Sequence, residues 1–178
     1  NMTVLFGGYN GLELDDTWEF DYPTNTWTQY SPNPHPIGRE FGRMSYDPVE
    51  KVVVLFGGIN GTSPDAYLKD TWEYDVVSRS WTETNPDGPM MFDSATSYDS
   101  SAKRHIMVGW NYTNNNFQTW AYDAAANTWA LRAPPGGPIP RTGHAMAYHE
   151  TLQRTVLFGG FDPSVPPGTP LDDTWEYN

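Results

Sequence analysis

The 178-residue sequence has no cysteine and few basic residues, only seven arginines and three lysines. Without cysteine there can be no disulfide framework, Cys-ligated zinc finger, thiol nucleophile or iron–sulfur cluster. Against 22 acidic residues the basic ones leave a formal charge of −12 and a pI near 4.4. A phosphate backbone would be repelled over most of such a surface, so nucleic acid is not an expected partner. Long hydrophobic runs are missing too. The longest, such as Val52 to Phe56, are strand-sized, and membrane insertion is not expected. Charged residues reach only 18% while aromatics reach 15%, which excludes a disordered acidic tail and suits one cored domain at this length. No leader peptide is visible. Asn1 already lies in a strand-like run, so the natural start of the chain is expected upstream.

What the sequence does contain is a repeat. Val4-Leu5-Phe6-Gly7-Gly8 recurs as Val54-Leu55-Phe56-Gly57-Gly58 and Val156-Leu157-Phe158-Gly159-Gly160, with a weaker copy at Ile106-Met107-Val108-Gly109-Trp110. The first glycines are 50, 52 and 50 residues apart. Each copy is followed by a tryptophan motif: Asp16-Thr17-Trp18, Asp70-Thr71-Trp72, Gln118-Thr119-Trp120 and Asp173-Thr174-Trp175. A second tryptophan stands nine residues later, at Trp27, Trp81 and Trp129, and a tyrosine stands 11 residues before the glycine, at Tyr46, Tyr98 and Tyr148. Seven of the eight tryptophans are therefore in register, which chance does not produce.

A period near 50, a double glycine after an apolar strand, and a tyrosine and tryptophan at fixed offsets resemble kelch repeats over essentially the whole chain. The resemblance implies an all-β, kelch-type β-propeller in which each repeat forms one four-stranded antiparallel blade. The third repeat departs from the pattern. Trp110 replaces the second glycine, Gln118 replaces Asp, and Met91 and Ser94 stand where the fourth copy has Arg141 and His144. The residues support the same fold directly. Alternation in Trp72-Glu73-Tyr74 and Ala145-Met146-Ala147-Tyr148 marks half-buried strands, Val52 to Phe56 marks a buried one, and no stretch keeps helical periodicity. We read one domain over 1–178 with blade parts 1–30, 41–84, 92–132 and 143–178. These carry three, four, four and three strands, about 3.5 blades, and are expected to belong to a longer chain.

Connections on one face are constant, with 11 residues from Tyr to Gly and nine from Trp to Trp. On the other face they vary, from 11 to 16 residues between Gly and Trp, and they hold fourteen of the 16 prolines. Varied loops on a rigid scaffold are the usual place for binding residues. There the candidate ligand-binding residues are Tyr9, Arg39, Phe41, Asn111, Tyr112, Arg141 and Phe161. Arg39 and Arg141 both stand seven residues before a repeat tyrosine. Their planar forks at the channel mouth would suit an acidic peptide or acidic sugar. Alternatively, each pairs with a loop carboxylate and simply pins its blade. Trp18, Trp72, Trp120 and Trp175 are expected to be largely buried between blades.

No catalytic residues emerge. His35, His105, His144 and His149 are too scattered for a metal triad, Asp15-Asp16 and Asp172-Asp173 lack EF-hand spacing, and neither metal nor cofactor is expected. Copper-radical oxidases of the galactose-oxidase type share the fold that the resemblance implies, but their Cys–Tyr cofactor cannot form here without cysteine. Sequons at Asn1, Asn60 and Asn111 are candidate glycosylation sites, with Asn60 and Asn111 expected to be exposed on the variable face. The resulting reading is a non-catalytic scaffold, extracellular or at the cell surface, that binds protein or carbohydrate and is completed by further blades of its own or another chain. Alternatives are a segment of a sugar-acting propeller enzyme, a structural module of a surface or filament protein, and a cytoplasmic location.

Overall fold

Strands follow from the alternating apolar pattern, and tight turns follow from an aspartate placed at the strand ends. Asp47 Oδ1 accepts the Val49 and Glu50 amides, Asp75 Oδ1 those of Val77 and Ser78, and Asp99 Oδ1 those of Ser101 and Ala102. Each turn then closes through a left-handed residue, Lys51, Arg79 or Lys103. In the fourth repeat His149 Nδ1 takes the aspartate's place and accepts the Leu152 amide at 3.3 Å. This shared local chemistry explains why one set of connections has constant length.

The computed structural model describes residues 2–63, 66–133, 136–166 and 168–178. The fold is all-β, with no α-helix among the described residues. Blade 1 holds β1 (Met2–Tyr9), β2 (Glu13–Asp21) and β3 (Thr26–Tyr30). Blade 2 holds β4 (Arg43–Asp47), β5 (Val52–Phe56), β6 (Thr71–Asp75) and β7 (Ser80–Asn85). Blade 3 holds β8 (Met91–Asp99), β9 (Arg104–Asn111), β10 (Asn116–Asp123) and β11 (Thr128–Arg132). Blade 4 holds β12 (Ala145–His149), β13 (Arg154–Phe158) and β16 (Thr174–Tyr177), with a small hairpin of β14 (Phe161–Asp162) and β15 (Thr169–Pro170) in its loop. All pairings are antiparallel. The first strands lie side by side, β4 against β8 and β8 against β12. The result is a partial kelch-type propeller.

Buried residues gather between blades. Phe6 of blade 1 packs with Val53, Leu55, Trp72, Tyr74 and Trp81 of blade 2, and Phe56 of blade 2 packs with Met91 and Met107 of blade 3. The joint between blades 1 and 2 and the joint between blades 2 and 3 repeat one design. Trp81 lies 5.1 Å from Phe6, ring to ring, and donates its indole N–H to Thr17 Oγ1 at 3.0 Å. Trp129 lies 4.4 Å from Phe56 and donates to Thr71 Oγ1, also at 3.0 Å. A buried indole contributes large apolar area and needs one acceptor, which the preceding blade supplies.

The first tryptophans depart from expectation in part. All four donate an indole N–H to the side chain two residues earlier, Trp18 to Asp16, Trp72 to Asp70, Trp120 to Gln118 and Trp175 to Asp173. Of these only Trp72 is buried, and the other three are half-buried. The most enclosed indole is a second one, Trp81, which meets both the Phe6 ring and the Thr17 hydroxyl of blade 1.

Candidate functional site

The arginines of the variable face are enclosed, not displayed. Arg39 is 1% exposed and Arg141 0%. Arg39 sends Nη1 to Asp70 Oδ1 and Nη2 to Asp70 Oδ2, both at 2.7 Å, a further Nη1 bond to the Gly57 carbonyl at 2.8 Å, and Nε to the Ile37 carbonyl. Arg141 repeats this with Asp173, the Gly159 carbonyl and the Ile139 carbonyl. The Asp173 carboxyl is held well below its usual value, first by the Arg141 hydrogen bond and then by the Trp175 indole. The expectation of free arginine forks at the rim is thus corrected. Full burial and a bidentate carboxylate leave no fork for an outside anion, and the pairing alternative is the one observed.

Asn111 is likewise corrected, being 6% exposed, with its Oδ1 accepting the Thr113 amide at 2.9 Å. Through that oxygen it closes the β9–β10 turn, and its side chain lines a cavity between blades 2 and 3. Asn60 is exposed, its Nδ2 donating to the Gly38 carbonyl. Asn1 lies outside the described residues.

The aromatic candidates do reach solvent. Tyr9, Phe41, Tyr112 and Phe161 are all exposed, Phe41 by 59%. Phe41 also has φ of 56°, a left-handed backbone where blade 4 uses Gly143, φ 65°. A bulky residue held there stores strain while its ring faces water. Behind Tyr112 runs a band of rings that sequence reading missed. Tyr67 stacks on Tyr112 at 4.0 Å, both meet Phe92, Phe92 stacks on Trp110, Trp110 meets Phe117 edge-on, and Phe117 meets His144. The one signal for it was Trp110 in place of the second glycine. His144, buried and donating its Nε2–H to the Val108 carbonyl at 3.1 Å, is kept below its usual pKa chiefly by burial.

Acidic side chains stand among these loops, one of them close to Arg43. Glu40 adjoins Phe41, and Asp93 is exposed at the matching position of blade 3. A separate cavity of about 560 Å³ lies between blades 2 and 3, lined among others by Asn85, Asn114, Asn127, Trp120 and Trp129. Among the described residues no three His, Asp or Glu side chains converge as metal ligands.

Residues 1–178 match the family described as the KLHDC2/KLHL20/DRC7 Kelch-repeats domain. Among curated proteins the chain is similar to multiple epidermal growth factor-like domains protein 8 of Mus musculus, 27% identical over 88% of this chain and 6% of that protein. The Homo sapiens protein of the same name is 26% identical over the same shares. An F-box/kelch-repeat protein of Arabidopsis thaliana is 29% identical over 97% of this chain and 38% of that protein. The chain thus spans well under half the length of each of these relatives.

Proposed function

The chain belongs to the kelch-repeat family, and from that premise we propose that it is a non-catalytic interaction scaffold which grips a protein partner on its loop face. The carrying observation is Phe41, exposed and held in a left-handed conformation that costs folding energy and does nothing for the core. Tyr9, Tyr112 and Phe161 extend the same aromatic surface. Exposed rings on a rigid frame lose little entropy on binding and serve as anchors. With Arg39 and Arg141 neutralised, the adjoining Glu40 and Asp93 favour a segment that carries cationic and apolar side chains over the acidic ligand suggested by the arginines alone.

A peptide array probed with the intact chain tests this. Basic, aromatic-rich peptides should bind in preference to acidic ones. Phe41→Gly should weaken that binding at least tenfold, yet stabilise the fold by about 1 kcal/mol by relieving strain. Unchanged binding in Phe41→Gly would remove the loop face as the site.

A second reading, carbohydrate binding, draws support from the cavity between blades 2 and 3. Asparagine amides beside indole faces match the hydroxyls and C–H faces of a neutral sugar. Binding on a glycan array that is lost in Trp120→Ala would favour it, and turnover of such a sugar would favour the enzyme alternative. For location we propose a secreted or surface protein with Asn60 as the accessible sequon, the alternative being cytoplasmic. A glycan on Asn60, found by mass spectrometry of native material, separates the two.

A further inference from the structure

Resting on the carbohydrate reading of the cavity between blades 2 and 3, we propose that the sugar it takes carries an N-acetyl group, whose carbonyl is held by Asn111. The cavity encloses about 560 Å³, within the range of small-ligand sites. Both blades that wall it have all four strands.

The asparagines around it are not equivalent. Asn127 Oδ1 accepts the Tyr122 hydroxyl, and its Nδ2 donates to the Thr84 carbonyl. Asn85 Oδ1 accepts the Asp87 amide at 2.9 Å, and its Nδ2 donates to the Asn127 carbonyl at 3.3 Å. Both are engaged in holding the wall. Asn111 differs. Its Oδ1 accepts the Thr113 amide, but its Nδ2 donates to no group among the described residues, although the residue is only 6% exposed. In the other repeats the residue two after the first glycine is Tyr9, Ile59 or Phe161. A carboxamide is thus buried where the repeat otherwise carries an aromatic or aliphatic side chain. The turn explains its oxygen, and a ligand explains its N–H.

The partner this N–H needs is an acceptor that brings no proton of its own. A hydroxyl there would carry a donor into a place whose nearest oxygen, Asn111 Oδ1, is already bonded, and an unmade buried hydrogen bond is costly. A carboxylate would meet Asp87, whose charge Lys69 already answers at 2.6 Å. A neutral carbonyl accepts without donating. Pro89, buried, and Met90, half-buried, line the same cavity and offer an apolar wall for the acetyl methyl.

The rest of the cavity suits a pyranose ring. Trp120 and Trp129 have their N–H groups engaged by Gln118 Oε1 and Thr71 Oγ1, which leaves indole surface for a C–H face. Exposed Lys69 and Asp87 keep further ammonium protons and a second carboxylate oxygen, a donor and an acceptor side by side for ring hydroxyls. These walls are set in advance. The Gly88 amide donates to the Lys69 carbonyl and the Tyr112 amide to the Met90 carbonyl, each at 2.8 Å. A side chain on Gly88 would strike Phe56 Cε2 at 2.7 Å and Trp129 Nε1 at 3.0 Å, so the linker lies hard against the indole. A preformed site loses little binding energy to ordering.

The methyl glycosides of N-acetylglucosamine and N-acetylgalactosamine, each beside its parent hexose, are titrated into the intact chain and followed by ligand-observed NMR. At least one N-acetyl sugar should bind, one per chain, about tenfold more tightly than its parent. Asn111→Asp keeps an oxygen for the Thr113 amide and removes the N–H, so it should abolish that preference with the far-ultraviolet β-sheet signal intact. Lys69→Ala, at an exposed position, should weaken N-acetyl sugar and parent alike. The comparison of sugars on the unaltered chain depends on no variant. Equal affinity for a sugar and its parent, or a preference that survives in folded Asn111→Asp, would overturn the N-acetyl assignment and leave the carbohydrate reading standing. Binding of none of the four up to about 10 mM would overturn both. An Nε-acetyl-lysine peptide that binds more tightly than either sugar, and is lost in Asn111→Asp, would assign the site to an acetylated protein segment and overturn the sugar.

Discussion

In blades 2 and 4 the linker carries a buried arginine whose fork closes on an aspartate, whereas blade 3 places Met91 at the arginine position and Gln118 at the aspartate position. Met91 is 2% exposed and packs with Phe56 and Met107. Gln118 Oε1 still accepts the Trp120 indole at 3.0 Å. The indole acceptor is thus common to every blade, and in blades 2 and 4 that acceptor is a carboxylate which a buried arginine meets. A buried ion pair and an apolar plug are near-equivalent solutions when each is complete. The comparison identifies Arg39 and Arg141 as framework, since the third blade dispenses with their charge while keeping their place filled.

The comparison breaks most severely when one half of a clamp is removed. Asp70→Ala strands a fully buried guanidinium and should destabilise the chain by about 3–5 kcal/mol in urea unfolding. A cost below about 1 kcal/mol would mean that the pair is not a structural unit. Next in size is the apolar version. Met91→Ala opens a cavity between blades 2 and 3 and should cost about 2–4 kcal/mol. A near-neutral result would show that the plug is not what holds blade 3.

The smallest effect should come from converting a whole clamp to the third blade's solution. Arg141→Met with Asp173→Gln should change stability at pH 7 by less than about 1 kcal/mol. Its signature is in acid. The folded pKa of Asp173 lies below its usual 3.8, so its contribution is complete above that value and is lost as pH falls through the folded one. The double variant should therefore lose less stability than the parent below pH 3.8. Some acid loss must remain. Burial raises the Asp47 carboxyl, but the His105 ring 3.6 Å away and hydrogen bonds from the Glu50 and Val49 amides outweigh it and bring it to about 2. Buried His144, with its pKa lowered, resists protonation from about 6.5 downwards. An identical acid limb in both proteins would exclude Asp173 as a contributor.

The repeat, the strands and the face on which loops vary were legible in the chain, because turns closed by Asp47 or Asp75 and alternation such as Trp72-Glu73-Tyr74 are local patterns. The candidate site was half legible. Tyr9, Phe41, Tyr112 and Phe161 stand exposed in the loops where their spacing put them. Arg39, Arg141 and Asn111 stood in the same loops but are buried, and spacing could not tell them apart, since Arg39 meets Asp70 across 31 residues. Tyr67, Phe92 and Phe117 carried no repeat signature and come together only through blade contact.

By itself, then, the sequence determined the kelch period, the all-β fold and the in-register tryptophans, since period-two alternation and turn chemistry act within a few residues. Tertiary structure decided which of those residues are enclosed. Trp81 is 2% exposed and Trp27 48%, although they hold the same place in their repeats. The difference is the neighbour. Trp81 has Phe6 and Thr17 of blade 1 to cover its ring and accept its N–H. Among the described residues no blade stands against Trp27 in that way, and burial is a property of the surface that arrives, not of the residue that waits for it.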